Sequence, residues 1–146
     1  MEDIRYVFNV EKDDFVRAGE TSSKIKKILR ELGIDSSIIR KISIAAYEAE
    51  MNIVIHSLGG QILLDISPGV IKITAIDRGP GIADVELAMK EGYSTATDQV
   101  REMGFGAGMG LPNMKKCSDR FCVTSSEGKG TYIVIEVDLK AGEKNE

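Results

Sequence analysis

Apolar residues recur along the chain with two different periods, and the switches between them lay out the elements. Arg5-Tyr6-Val7-Phe8-Asn9-Val10 alternates and is rich in β-formers, which predicts a short first strand. Asp13 or Asp14 then offers a cap for a helix running to about Leu32, with Phe15, Ala18, Ile25, Ile28 and Leu29 interspersed. Gly19 weakens the first half of that helix and Gly33 stops it. Asp35 and Ser36 are N-cap residues for a longer helix, about Ser37 to Leu58. In it Ile38, Ile42, Ala45, Ala49 and Ile53 recur at spacings of three and four as a core-facing stripe. Gly59-Gly60 ends it, and the period drops to two. Strands are predicted at Gln61 to Ser67 and Val70 to Asp77, joined by Pro68-Gly69 at the central positions of a type II turn.

Beyond Asp77, Ala83 to Lys90 predicts a short helix, and the polar, aperiodic stretch Gly92 to Glu102 reads as a mobile loop. Leu111 to Lys116 predicts a helix with proline in its first turn. Strands follow at Arg120 to Ser125 and Thr131 to Leu139, linked by Glu127-Gly128-Lys129-Gly130, before a charged and frayed tail at Ala141 to Glu146. No repeat or linker divides residues 1–146, so one domain is expected. The order predicts an α+β fold: a two-layer sandwich of a mixed, mostly antiparallel sheet with its helices on one face.

With 42% apolar and 29% charged residues, the 146-residue chain has the composition of a soluble globular protein with a sizeable core. Its net charge of −4 gives no general drive towards nucleic acid or an anionic membrane, and Lys24, Lys26, Lys27 and Arg30 read as a solvated helix face. No apolar run has the length of a membrane span, and Met1-Glu2-Asp3 is unlike a signal peptide. Cys117 and Cys122 are too few and too isolated for a metal site or a disulfide framework. Free thiols point to a reducing, cytoplasmic setting.

Three segments carry candidate chemistry. Strand alternation puts Asp77 on the same face as Ile71 and Ile73, and Arg78-Gly79-Pro80-Gly81 follows it. An inward carboxylate at a strand end is poor core material. It suits an acceptor for a ligand amine, with glycines letting the ligand approach the backbone; a plain turn is the alternative. On the long helix Glu48, Asn52 and His56 are spaced i, i+4, i+8 and share a face, drifting about 40° per step. Asn can give a hard oxygen to Mg²⁺ and Glu can take a proton, although a polar stripe bordering the core has the same spacing. Glu50 lies roughly 200° round from Glu48 and cannot serve the same site. His56 has no Cys or His partner at ligand spacing and reads as a hydrogen-bonded helix-end residue. Gly104, Gly106, Gly108 and Gly110 alternate ahead of a predicted helix. The run lacks the Lys-Ser/Thr of a P-loop, yet it can offer backbone N–H groups to phosphates.

Glu48-Ala49-Glu50-Met51-Asn52, Asp77-Arg78-Gly79-Pro80-Gly81 and the run Gly104 to Gly110 resemble, in order, the three boxes of the Bergerat-fold ATPases. That superfamily includes gyrase, the heat-shock chaperone, the histidine kinases and the mismatch-repair proteins. Gly128-Lys129-Gly130-Thr131 resembles its closing Gly-x-Gly-Thr. Gly108-Met109-Gly110-Leu111-Pro112-Asn113-Met114-Lys115-Lys116 with Asp119-Arg120-Phe121 is most similar to the anti-sigma-factor serine kinases, above all the switch kinases of bacterial stress-response modules. Met109 and Pro112 depart from the lid-to-helix junction of typical histidine kinases, and there is no helical dimerisation segment with a phospho-accepting histidine.

The resemblance implies a protein serine/threonine kinase that uses ATP and Mg²⁺. Asp77 would bind the adenine amino group, with Gly79 and Gly81 in the same loop, Gly81 beneath the ring and Thr131 supporting the pocket. Asn52 would hold Mg²⁺ between the phosphates, Glu48 would be the general base, and Gly104, Gly106, Gly108 and Gly110 would contact phosphate. The implied partner is a STAS-domain anti-sigma-factor antagonist. The alternative is a non-catalytic ATP-sensing module that docks a sigma factor or activates a phosphatase. A homodimer stays open in either case.

Overall fold

The computed structural model describes residues 3–79, 89, 110–126 and 129–139. The predicted helix at Ala83 to Lys90, the loop at Gly92 to Glu102, the glycines 81, 104, 106 and 108 and the tail lie outside the described residues, Met89 excepted. Strands β1 (Ile4–Val10), β2 (Gly60–Ser67), β3 (Val70–Asp77), β4 (Arg120–Ser126) and β5 (Gly130–Asp138) form one sheet in the order β1-β2-β3-β5-β4. Helices α1 (Glu20–Glu31), α2 (Ser36–His56) and α3 (Gly110–Lys116) complete the described elements. All four strand pairings are antiparallel, so among these strands the expected mixed character is absent.

Parity decides which side of the sheet is covered. Tyr6, Leu64, Ile73, Ile135 and Phe121 stand in register across the five strands, as do Phe8, Ile62, Ala75, Ile133 and Val123. These rows, with Ile66, Ile71 and Val137, pack against the apolar stripe of α2 (Ile38, Ile42, Ala45, Ala49, Ile53). Fully burying each such side chain is worth about 1.5–3 kcal/mol relative to exposure, so this layer dominates stability. On the opposite side another row alternates in charge from edge to edge: Arg5, Asp65, Lys72, Glu136, Arg120. Arg5 meets Asp65 at 2.6 Å, and Arg120 meets Glu136 at 2.9 Å and Asp138 at 2.6 Å.

The start of the first helix differs from the sequence expectation. Residues 11–19 are not helical; Asp13 takes φ 56° and Gly19 φ 93°, and the helix begins at Glu20. The reason is tertiary. The Asp13 N–H donates to the Val54 carbonyl of α2 at 2.9 Å, fastening the segment across that helix. Gly19 supplies no side-chain cap. Glu50 of α2 caps α1 instead, its carboxylate accepting from the N–H groups of Gly19 (3.1 Å), Thr21 (3.2 Å) and Ser22 (3.1 Å). A carboxylate among the unsatisfied donors of a helix N-terminus meets both their hydrogen-bonding need and their partial positive charge. Burial pushes the Glu50 carboxyl pKa up, and the three N–H groups pull it back. Asp35 caps α2 as expected, its side chain accepting from the Ser37 N–H at 3.0 Å.

Glu50 therefore serves a different site from Glu48, as its helical spacing implied: it is a buried clamp on α1. Glu50→Ala leaves buried donors at Thr21 and Ser22 unsatisfied and is expected to cost about 3 kcal/mol. Glu50→Gln keeps one acceptor oxygen and is expected to cost less. Urea denaturation measures both, and a parental midpoint for the alanine variant would show that α1 does not depend on this carboxylate.

Candidate functional site

Two clusters gather the sequence-predicted residues that the structure describes. The first lies where β3 ends. Asp77 follows Ile71, Ile73 and Ala75 on the covered face and is half-buried. Its Oδ1 accepts the Thr131 N–H at 3.0 Å; its Oδ2 has no partner among the described residues. Burial pushes the Asp77 carboxyl up to about 6, against the pull of the Thr131 N–H. The backbone here is squeezed from both sides. A side chain at Gly130, whose φ is +122°, would begin 2.2 Å from the Asp77 carbonyl oxygen, and one at Gly60 would begin 2.2 Å from that of Ile76. Only residues without Cβ allow β2 and β5 to flank the end of β3 so closely.

Beyond Asp77 the chain is tied to the α2–β2 connection. The Leu58 N–H reaches the carbonyls of Arg78 (3.1 Å) and Gly79 (3.2 Å), and the Arg78 N–H reaches the Gly59 carbonyl (3.0 Å). Gly79, named from the sequence as a ligand-loop residue, is buried in this seam. Thr131 serves Asp77 through its backbone, while its hydroxyl lies 3.0 Å from the Ser125 hydroxyl. Ser125 is a member of this cluster that the sequence reading did not single out. Its cross-strand register with Thr131 is the signal that reveals it.

The second cluster joins α2 to α3. Glu48 is half-buried, and its Oε2 accepts from the Asn113 side-chain amide at 2.8 Å. Its Oε1 lies 3.8 Å from where a side chain at Gly110 would begin. Asn52 follows one turn later on α2, also half-buried. His56 ends the helix, and burial holds its imidazole below the usual pKa, which keeps the ring neutral at pH 7. Glu48 and Gly110 are thus brought together, as are Asp77 and Thr131. Asn113 was read only as part of a motif string, because nothing local announces a contact 65 residues away in sequence. Cys117 and Cys122 are free, as expected, and no helix among the described residues is long and apolar enough to cross a membrane.

Comparisons with known proteins identify the family to which this fold belongs. Residues 37–141 match the family described as histidine kinase-, DNA gyrase B- and HSP90-like ATPases, and the chain belongs to that family. It is 34% identical over 112 residues to the serine/threonine-protein kinase RsbT of Bacillus subtilis, covering 74% of this chain and 78% of the relative. It is 36% identical over 100 residues to an anti-sigma F factor of Thermoanaerobacter, covering 65% of this chain and 66% of the relative. Among solved structures, the RsbU and RsbW domains of Rv1364c from Mycobacterium tuberculosis superpose with a TM-score of 0.60 at 20% identity, covering 92% of this chain and 32% of that one. The catalytic domain of histidine kinase ThkA gives 0.52 at 15% identity, covering 98% of this chain and 99% of that one. The last two establish likeness of fold.

The raised Asp77 pKa has a measurable cost in the ligand-free protein. A carboxyl whose folded pKa lies above its unfolded value of 3.8 adds stability that is complete below about pH 4 and lost as pH rises through about 6. Asp77→Asn keeps an oxygen for the Thr131 N–H but has no charge to desolvate. At pH 7 it is expected to be more stable than the parent by about 1 kcal/mol, after discounting for partial solvent screening, with no advantage near pH 4. Urea denaturation at the two pH values checks this, and a variant less stable than the parent at pH 7 contradicts it.

Proposed function

We propose that this chain is an ATP-dependent protein serine/threonine kinase whose substrate is a small STAS-domain regulatory protein in a bacterial partner-switching module. The observation that carries the reading is Glu48: a half-buried carboxylate facing the start of α3, in a chain related to a protein named as a serine/threonine kinase. The Asp77 cluster fits the adenine end of a nucleotide. A half-buried acceptor whose second oxygen has no partner among the described residues suits an exocyclic amine and disfavours the carbonyl of guanine. No group of three or more His, Cys, Asp or Glu among the described residues could hold a metal by itself. Asn52 fits a Mg²⁺ that arrives with the phosphates and needs one hard protein oxygen. When bound, Mg²⁺ neutralises charge on the phosphate oxygens.

In the proposed transfer, the partner's hydroxyl oxygen forms a bond to the γ-phosphorus. The bond from that phosphorus to the β–γ bridging oxygen breaks, and ADP keeps the electron pair. Glu48 takes the hydroxyl proton, and Asp77 with Gly79, Gly81 and Thr131 seats the adenine. Gly104, Gly106, Gly108 and Gly110 offer backbone to the phosphates. A dianionic phosphate on the partner then changes what it binds, by charge repulsion or recruitment. The composition and free thiols support a cytoplasmic setting, and one domain remains the proposed extent. A second reading, an ATP sensor that docks a sigma factor or activates a phosphatase, draws on relatives named anti-sigma F factor. A second copy of the chain is a further candidate partner under both.

Labelled ATP, Mg²⁺ and purified STAS-domain proteins test the kinase reading directly. Glu48→Gln is expected to keep ATP affinity and lose transfer by roughly 10²–10⁴-fold, the usual worth of general-base help. Asn52→Ala is expected to damage Mg²⁺-dependent ATP binding and transfer together, because a metal ligand acts in the ground state as well. Asp77→Asn is expected to weaken ATP by about ten- to a hundred-fold in calorimetric titration, the worth of a lost charge-assisted hydrogen bond. A Glu48→Gln variant with the parental transfer rate removes the base assignment. A parent that binds ATP and partner without transferring phosphate favours the sensor.

A further inference from the structure

Asn113 reaches from α3 to donate its side-chain N–H to Glu48 Oε2 at 2.8 Å. An ionised carboxylate can only accept, so the amide nitrogen must be the end that faces it, and the orientation of the carboxamide is fixed by chemistry. The residue carrying it is also held. Leu111, Pro112 and Met114 of α3 are buried against the core, and the Asn113 carbonyl accepts the Cys117 N–H at 3.1 Å. The donor therefore has a fixed base, and it engages one Glu48 oxygen only. The other oxygen is turned towards Gly110, where the glycine leaves space.

We propose that Asn113 is a positioning residue for proton transfer: it grips Oε2 of Glu48 so that Oε1 is held out as the base. This rests on the kinase reading above. It adds that the base is set in place from α3, the helix that follows the glycine run, and not from α2 alone. Seating α3 on α2 and presenting the base are then one event. A Glu48 released from Asn113 rotates about its own side-chain bonds and spends less time aimed at a hydroxyl.

The test is a double-mutant cycle on the full chain, with phosphate transfer from labelled ATP to a STAS-domain protein as the readout. ADP formation with water as acceptor is followed in parallel, since it draws on the same base. Asn113→Leu keeps the branched shape without the donor, and Asn113→Ala guards against misfit of the larger leucine side chain. Each is expected to lower kcat about tenfold and to leave the KM for ATP within about twofold of the parent. In a Glu48→Gln background the same substitutions are expected to cost nothing further, because the group they act through is gone. Asn113→Gln, which keeps an amide donor, is expected to restore part of the rate. Parental kcat in both single variants, or a full tenfold loss repeated in the Glu48→Gln background, overturns the positioning role and leaves the kinase reading standing. A parent chain that binds ATP but neither transfers phosphate nor forms ADP overturns both.

Discussion

One strand end governs the architecture of the candidate site: the close passage of β2 and β5 beside the last residues of β3, which only glycine at positions 60 and 130 permits. The squeeze fixes where Asp77 stands and which backbone N–H it receives. It also exposes the conflict in that residue. The carboxylate is withdrawn from water and, among the described residues, receives one donor where an ionised group would ordinarily take two or three, so its pKa climbs. A protein selected only for stability would place an apolar side chain there. The second oxygen, without a partner among the described residues, is the premise of the adenine proposal.

Helix α2 divides its labour between two carboxylates two residues apart. Glu50 turns into the protein and completes α1, gathering three N–H groups that the α1 segment cannot satisfy by itself. Glu48 turns towards α3 and accepts one side-chain donor. The same residue type performs a structural task in one direction and is available for chemistry in the other. The environment makes the difference: among the described residues Glu50 has three fixed backbone donors and near-complete burial, and Glu48 a single amide and partial exposure. Because both stand on one rigid helix, the clamp on α1 also steadies the platform from which Glu48 projects.

Much of this was legible before the structure. Strand parity placed Asp77 on the covered face, the Pro68-Gly69 turn announced the β2–β3 hairpin, and helical periodicity separated Glu48 and Asn52 from Glu50. These are local signals with short periods, and local physics decides them. What escaped was set by partners far away in sequence. The α1 start was read at Asp13 or Asp14, because a capping residue is usually a neighbour; here the cap arrives from Glu50, some thirty residues on, and Asp13 and Gly19 adopt left-handed backbone. Asn113 carries no signature that distinguishes a surface amide from one aimed at Glu48. Glycines 81, 104, 106 and 108 lie outside the described residues, so their part in the site remains a proposal resting on motif order.

The side of the sheet turned away from α2 carries its own logic. Its charged row runs positive, negative, positive, negative, positive, and so neutralises itself strand by strand while ending in arginine at both outer strands. Such a row does not attract a sheet of either charge sign. Both of these arginines are held by carboxylates on the same side of the sheet, Arg5 by Asp65 and Arg120 by Glu136 and Asp138, so each outer strand presents an ion pair instead of an apolar face. Because these pairs face solvent, their hold across neighbouring strands is electrostatic and loosens as added salt shortens the distance over which opposite charges attract.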